Sequence, residues 1–340
     1  MPDSIQPTFR AKGYNVKSKF VSDLQARDEL FNEPFLVQDV NYRTTKDNRP
    51  YLLCNLHDKS GQIGGVFWDL PSTVADWLRS GKAVLLTGRV TAYKDGLQIS
   101  ITDLNEWLNP DLAYFLPTST RPVAEMVATL QKQVASLQSP WQELVSHILL
   151  SPSFLPLFSK APAARNMHHA YIGGLLEHTL SMALIADLLA IHYPYVNRDL
   201  LLSGVLLHDC GKAIEYELTP GFTFSDDGRL IGHIIRAITL IEKAAFNLGN
   251  IPPEVLRQLV HLIASHHGTL EWGSPVVPKT LEAILLHQID LLDSRVQGFF
   301  DHLSHDMGDG PWSQKMSNMF NSELRYPAGF KETATQKAQN

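Results

Sequence analysis

The stretch LLSGVLLHDCGKAIE, residues 201–215, decides the fold of the second half of this 340-residue chain. The apolar run Leu200–Leu207 ends directly at His208 and Asp209, and Gly211 follows two residues later. A carboxylate at the end of a buried helix is costly unless it is paired, and an imidazole beside it can ligate a metal. The stretch therefore predicts a buried helix that ends at a divalent metal site.

Further histidines and one further aspartate extend this pattern along the chain. Of 14 histidines, all but His57 lie between His147 and His305. Zinc fingers use gaps of a few residues, whereas the gaps here are about 24 to 33 residues, which is typical of ligands collected from several helices of a bundle. The candidate ligands are His178, His208, Asp209, His233, His266, His267 and Asp290. A structural role is expected for His147, His192, His261, His287, His302 and His305.

Helical periodicity dominates the chain after residue 122, where apolar residues recur at i, i+3, i+4 and i+7. This spacing predicts an all-α second domain at 123–326, and the polar segment 327–340 is expected to be disordered. The predicted helices are Val123–Leu137, Trp141–Leu149, Gly174–Ala190, Asp199–Leu207, Ile231–Phe246, Glu254–Ala264 and Leu281–Phe300.

The first third of the chain is different, because it contains short runs rich in β-branched and aromatic residues, separated by turn signals. A short helix with a serine cap is predicted after Pro71, between the third and fourth runs. Five strands with a helix in this place follow the element order of an OB-fold barrel, and a small SH3-like barrel is the alternative. The predicted strands are Phe35–Thr44, Pro50–Asp58, Gly61–Asp69, Ala83–Lys94 and Leu97–Leu104.

These patterns predict five segments along the chain. An N-terminal arm at 1–33 carries basic residues such as Arg10 and Lys12, and the barrel occupies 34–109. A linker at 110–122 contains three prolines, and the helical domain and the polar tail follow.

Composition narrows the classes of protein to consider. The hydrophobic fraction is 44% and the charged fraction 19%, which is ordinary for a globular protein, and the formal charge of −6 excludes a polycation that binds nucleic acid by bulk charge. The two cysteines, Cys54 and Cys210, have no CxxC spacing, so a reducing compartment is expected. We find no signal-peptide pattern and expect a cytoplasmic protein that does not bind a membrane.

The motif H…HD…D, formed by His178, His208, Asp209 and Asp290, resembles the signature of the HD phosphohydrolase superfamily. Longer stretches resemble the YhaM family of 3′–5′ exoribonucleases, whose members join an OB-fold to an HD domain. These stretches are LLEHTLSMALIA (175–186), LLSGVLLHDCGKAIE (201–215), GRLIGHI (228–234) and IASHHGTLEWGSPVVPKTLEAILLHQIDLLDSR (263–295). The GYP motif of cyclic-di-GMP phosphodiesterases is missing from the sequence after the HD region.

The resemblance implies two divalent transition-metal ions. One would be held by His178, His208, Asp209 and Asp290, and the other by His233, His266 and His267, with Asp209 bridging both. Asp209 and Lys212 are the implied catalytic residues, the lysine by adding positive charge at the phosphate. The resemblance favours manganese, and mixed imidazole and carboxylate ligation also suits iron, cobalt, nickel or zinc.

The implied activity is 3′–5′ exonucleolytic hydrolysis of single-stranded RNA to nucleoside 5′-monophosphates, with single-stranded DNA and a homo-oligomeric state left open. On the barrel, Tyr51, Trp68, Arg89 and Tyr93 are candidate nucleic-acid contacts, since single strands stack on exposed aromatic side chains. One alternative is a nucleotidase or cyclic-nucleotide phosphodiesterase that acts on small nucleotides. A nucleic-acid-binding protein with a relict metal site is the other, and the complete ligand set argues against it.

Overall fold

The structure is a computed structural model that describes residues 17–94, 96–165, 169–219, 222–306, 310–314 and 319–330. Arg10 and Lys12 of the predicted arm, Asp95 of a predicted turn and residues 331–340 of the predicted tail lie outside the described residues. The chain forms two compact units, Met1–Leu116 and Pro117–Asn340.

Five strands form a closed barrel in the first unit, in the order β1-β2-β3-β5-β4, which confirms the OB-fold. Neighbouring strands are antiparallel except for β3 and β5, which are parallel. Phe67 is buried in the barrel core and the adjacent Trp68 is 53% exposed, as strand alternation predicts. The strands are β1 (Glu29–Thr44), β2 (Pro50–Asp58), β3 (Gly61–Trp68), β4 (Ala83–Tyr93) and β5 (Gly96–Glu106).

The short helix predicted between β3 and β4 is present as α1 (Ser72–Ala75), and the predicted serine cap is wrong. Pro71 is the N-cap residue, and no side chain accepts a hydrogen bond there. The pyrrolidine ring fixes φ of Pro71, and the carbonyl of Pro71 accepts the amide of Val74, so the helix begins at Ser72, one residue earlier than a serine cap would place it.

Residues that precede β1 are fixed to the barrel by a buried cation. Nζ of Lys17 donates to the carbonyl of Pro34 at 2.7 Å and lies 3.2 Å from Oδ2 of Asp58. Oδ2 of Asp58 also accepts the amide of Val21 at 2.8 Å. At the other end of this unit, Phe115 packs against Leu36 and Ala83 of the barrel wall.

The second unit is helical, as predicted, and adds one two-stranded ribbon of β6 (Tyr216–Glu217) and β7 (Thr223–Phe224). Its core is built mainly from leucine, isoleucine and alanine side chains of the longer helices. The helices are α2 (Val123–Ala135), α3 (Trp141–Leu149), α4 (Leu155–Phe158), α5 (Gly174–His192), α6 (Arg198–Leu207), α7 (Lys212–Glu215), α8 (Asp226–Leu230), α9 (His233–Leu248), α10 (Pro253–Ser265) and α11 (Leu281–His305).

Helix α5 is long and apolar enough to cross a membrane by length and composition alone. Half of its most apolar window is buried inside the unit, and the buried side chains include His178. A polar imidazole that faces the interior of a helical unit indicates a core helix rather than a membrane span.

Candidate metal centre

All seven predicted ligands lie within helices or directly at their ends, and they converge on one place. His178 and Asp290 lie within α5 and α11, whereas His208 and Asp209 follow directly on the end of α6. His233 is the first residue of α9, and His266 and His267 follow the end of α10. The ligand atoms of two triplets each lie within 4.8 Å of one another. The triplets are His178, His208 and Asp290, and His233, His266 and His267.

Asp209 lies between the two triplets and turns one oxygen toward each. Its Oδ2 lies 3.2 Å from Nε2 of His208, whereas its Oδ1 lies 3.5 Å from Nε2 of His233 and 3.6 Å from Nε2 of His266. Within the first triplet, Nε2 of His178 lies 3.3 Å from Oδ1 of Asp290. One carboxylate therefore contacts both sets of imidazoles, each through a different oxygen.

The histidine rings are oriented by their Nδ1 atoms, so that the Nε2 atoms face the centre. Three rings have backbone carbonyls at 2.8 Å from Nδ1: Val205 for His208, Ile263 for His266 and Trp272 for His267. A carbonyl only accepts, so Nδ1 must carry the proton, and the neutral ring then has its lone pair on Nε2. This is the tautomer that ligates a metal through Nε2.

Several polar atoms at this centre are buried without a hydrogen-bond partner among the described residues. They are Nε2 of His208, Nε2 of His233 and Oδ1 of Asp209. A buried acceptor left unsatisfied costs about 1–3 kcal/mol, and more if it is charged, so the chain needs a counterpart at this position. Lone pairs of imidazole and carboxylate directed at a common point fit a divalent cation.

Burial and neighbouring charges shift the pKa values of the ionisable side chains at this centre. Burial, with His266 and His233, lowers the pKa of His267 to about 4, so this ring is neutral at pH 7. Burial alone would raise the pKa of Asp209, but Lys212 and His208 outweigh it and hold that pKa well below its usual range. Burial alone would lower the pKa of His178, but hydrogen bonds to Asp290 and Asp293 raise it to about 9.

Lys212, which is predicted to add positive charge at the phosphate, contacts Asp209. Its Nζ lies 2.6 Å from Oδ2 of that carboxylate, and its side chain is only 13% exposed. Burial would lower the pKa of Lys212, but Asp209 outweighs it and raises that pKa above its usual range. The lysine thus remains a fixed cation against the central carboxylate. Gly211 precedes it because a Cβ there would lie 2.1 Å from the carbonyl oxygen of His233.

Two functional carboxylates escaped the sequence analysis. Oδ2 of Asp293 accepts Nδ1 of His178 at 2.7 Å, and Oε1 of Glu215 lies 3.1 Å from both the amide and Nδ1 of His233. Both carboxylates are buried and orient a ring that backbone carbonyls do not hold. Asp293 lies one helical turn after Asp290, and Glu215 lies seven residues after His208, but neither spacing indicates which histidine the carboxylate contacts.

The four predicted contacts on the barrel fall into two places. Tyr51 of β2 pairs directly with Trp68 of β3, and their ring centroids lie 4.8 Å apart at an interplanar angle of 30°. Arg43 of β1 pairs with Tyr51 on the other side. Arg89 and Tyr93 lie on β4, which β5 separates from β3. Arg89 forms an exposed ion pair with Glu29 at 3.1 Å.

Models of known families match both units. A model of an OB-fold nucleic acid binding domain matches residues 37–106, and a model of the HD domain matches residues 175–295. A third model, described as a putative helicase, matches residues 113–193.

Similar proteins cover most of the chain. The 3′–5′ exoribonuclease YhaM of Bacillus velezensis is 34% identical over 272 residues, which are 79% of this chain and 86% of that protein. The proteins of the same name from Listeria welshimeri and Bacillus subtilis are 32% and 30% identical, and each match spans 88% of this chain and 95% of the relative. With an OB-fold barrel, an HD domain and this identity over nearly full-length relatives, the chain belongs to the YhaM family of 3′–5′ exoribonucleases.

Proposed function

We propose that this chain is a metal-dependent 3′–5′ exoribonuclease that hydrolyses single-stranded RNA to nucleoside 5′-monophosphates. The observation that carries the proposal is the position of Asp209, whose two oxygens face two separate sets of imidazoles. Such a carboxylate suits a pair of cations, and paired cations are common in enzymes that cleave phosphodiesters. The family to which the chain belongs supplies the direction of attack and the RNA substrate.

Each proposed cation has its own set of ligands. His178, His208 and Asp290 would hold one, His233, His266 and His267 would hold the other, and Asp209 would bridge them. Manganese is favoured by the family resemblance, and the donor set also accepts iron, cobalt, nickel or zinc. When bound, paired cations lower the pKa of water toward neutrality and neutralise charge that develops at the phosphorus.

The side chains around the ligands keep this geometry fixed. Lys212 holds Oδ2 of Asp209 in place, so the carboxylate cannot rotate away from the imidazoles. Asp293 and Glu215 accept the Nδ1 protons of His178 and His233, which keeps Nε2 of each ring unprotonated when a cation is present. Rigid ligands of this kind reduce the reorganisation needed as charge develops during the reaction.

The barrel is proposed to hold the strand through the row Arg43, Tyr51 and Trp68, which are cross-strand neighbours on β1, β2 and β3. Trp68 is half exposed, and Arg43 is exposed, with no ion pair to any described residue. Base stacking on aromatic rings with phosphate contacts from arginine is the way single strands are bound without sequence preference. This mode also allows single-stranded DNA to bind.

The compartment is a proposal as well. Cys54 and Cys210 are both buried and not joined in a disulfide, which suits a reducing cytoplasm. We propose no membrane partner.

The direction of degradation distinguishes the proposal from hydrolysis of small nucleotides. A 3′-phosphate on an end-labelled RNA strand should slow degradation strongly, whereas a 5′ block should not, and 5′-monophosphates should dominate the products. Equal protection by both blocks would indicate an endonuclease. Rapid hydrolysis of mononucleotides or cyclic nucleotides with intact RNA would favour the nucleotidase or phosphodiesterase alternative.

A further inference from the structure

A cleft of about 460 Å³ adjoins the metal centre and is not explained by the ligand set. The ligands His266, His267 and Asp290 form part of its lining, and Trp272 and Arg295 contribute the largest side chains that do not ligate. Pockets for small molecules measure about 300–1,000 Å³, so this cleft has room for one or two nucleotides but not for a longer strand.

Trp272 presents a half-exposed aromatic side chain to this cleft. Its side chain is 51% exposed, although its backbone carbonyl accepts Nδ1 of His267 at 2.8 Å. The main chain of Trp272 is therefore held next to a proposed metal ligand, and its indole lines the same cleft. A half-exposed aromatic ring held on the wall of a cleft is a surface on which a nucleobase stacks.

The wall behind the indole is rigid. Nδ1 of His287 donates to the carbonyl of His266 at 2.9 Å, and its ring lies 6.1 Å from that of Trp272. Gly268 has φ of +82°, and a Cβ there would lie 2.2 Å from the His287 ring. Only glycine allows this ring to pack between the ligand turn and the indole, so the platform is preorganised.

Arg295 supplies a free positive charge at the same cleft. It is exposed and forms no hydrogen bond or ion pair with the described part of the chain. Lys212, a second cation near the centre, is already bound to Asp209. A guanidinium is charged at every working pH, and its planar fork matches two phosphate oxygens.

We propose that this cleft binds the 3′-terminal nucleotide of the RNA strand, with its base stacked on Trp272 and its phosphate paired with Arg295. The assignment rests on the proposed exonuclease function and identifies the subsite that selects a strand end. A cleft of this size accepts a terminus, whereas the interior of a strand would have to continue through it.

The test uses the full-length protein and an RNA strand that carries 2-aminopurine as its 3′-terminal base. Its last linkage is a methylenephosphonate, which resists hydrolysis. Stacking on the indole should quench the 2-aminopurine fluorescence. Trp272→Ala should abolish the quenching and weaken binding roughly 5- to 150-fold, the range for one lost base stack, and Trp272→Phe should retain most of the affinity. Trp312→Ala is the matched control, since Trp312 is 52% exposed but does not line the cleft.

Kinetics and metal content complete the test. Trp272→Ala should raise KM by the same factor for a dinucleotide and for a long strand, while bound metal stays unchanged because the carbonyl that orients His267 remains. Arg295→Gln should likewise raise KM, and Arg257→Gln on the exposed face of α10 should not.

Unaltered quenching and KM in Trp272→Ala would overturn the proposal even if the wild-type protein degrades RNA from the 3′ end. Failure of the proposed function would look different, because the wild-type protein itself would then release no 5′-monophosphates from RNA. The fluorescence measurement tests stacking of the terminal base on Trp272 whether or not the protein hydrolyses RNA.

Discussion

Replacing Asp293 by asparagine should weaken one proposed metal site and spare the other. Oδ2 of Asp293 accepts Nδ1 of His178 and Nε2 of His169 at 2.7 and 3.3 Å, and Oδ1 accepts the hydroxyl of Ser181. Asparagine has nearly the same volume, but its amide group donates where a carboxylate oxygen accepts. The amide oxygen can still accept from both imidazoles if the NH2 group donates to the Ser181 hydroxyl, but this acceptor is uncharged, so His178 becomes less basic and is held less firmly.

The loss of metal affinity expected for Asp293→Asn can be estimated in two ways, and the two estimates agree. A hydrogen bond to a charged group contributes about 1.5–3 kcal/mol, which corresponds to roughly 13- to 160-fold in an equilibrium constant. Loss of a group that orients a metal-ligating histidine costs about 10- to 100-fold in metal affinity. We therefore expect affinity at the set of His178, His208 and Asp290 to fall about 10- to 100-fold, while the set of His233, His266 and His267 is unchanged.

Metal content after competition with a chelator, measured by mass spectrometry, tests this expectation. At an intermediate chelator concentration the ratio of metal to protein should fall from two toward one. Asp187→Asn is the matched control, because Asp187 lies on the same helix as His178 and pairs with Arg198 at 2.8 Å, away from the centre. Wild-type affinity at both sites in Asp293→Asn would refute the argument, and so would equal loss from both.

Three further outcomes follow from the same geometry. Asp209→Ala should abolish hydrolysis and lower bound metal, whereas His147→Ala should leave activity within a few-fold; near-normal turnover of the first variant would contradict the bridging assignment. The pKa of His178 is raised from 6.5 to about 9, so protonation of this ring stabilises the folded, metal-free protein. This contribution to the free energy of unfolding should be fully present below pH 6.5 and should be lost as pH rises through about 9. Metal must displace that proton, so calorimetric metal affinity should rise between pH 6.5 and 9; a flat profile would count against it. Trp68→Ala should raise KM for long RNA by roughly 5- to 150-fold and leave a dinucleotide unaffected, and equal effects on both substrates would remove the barrel from substrate binding.

The long helices could be predicted because helical periodicity is a short-range pattern, and the seven residues that meet at the centre could be predicted because they lie in distinctive motifs such as His208-Asp209 and His266-His267. Leu281, for example, begins the last long helix as expected, and Asp290 lies on it among apolar neighbours. Orientation of the rings could not be predicted, because Asp293 and Glu215 reach His178 and His233 only after α11 and α7 pack in the bundle. The sequence contains 35 acidic residues, and spacing does not set Asp293 or Glu215 apart from the others until the contacting histidines are known.

Helix packing also explains why the cleft beside the metal centre could not be predicted from the sequence. Trp272 reads as one aromatic residue in a loop, and its importance lies in the carbonyl that holds His267. His287 was expected to be structural, and its ring does support the wall of the cleft, through a hydrogen bond to His266 twenty-one residues away. Contacts of this length follow from how α10 and α11 meet, which no local pattern encodes.

Each proposed metal site has its own carboxylate that orients one of its histidines. A single substitution can therefore weaken one site and spare the other. Each set contains one imidazole whose Nδ1 faces a carboxylate, His178 with Asp293 and His233 with Glu215. The remaining rings donate to neutral carbonyls. A carboxylate partner makes a ring more basic than a carbonyl does, so each cation would have one strongly donating imidazole. Since Asp293 touches no ring of the second set, its loss weakens the first cation through His178 alone, and Asp209 continues to serve the other.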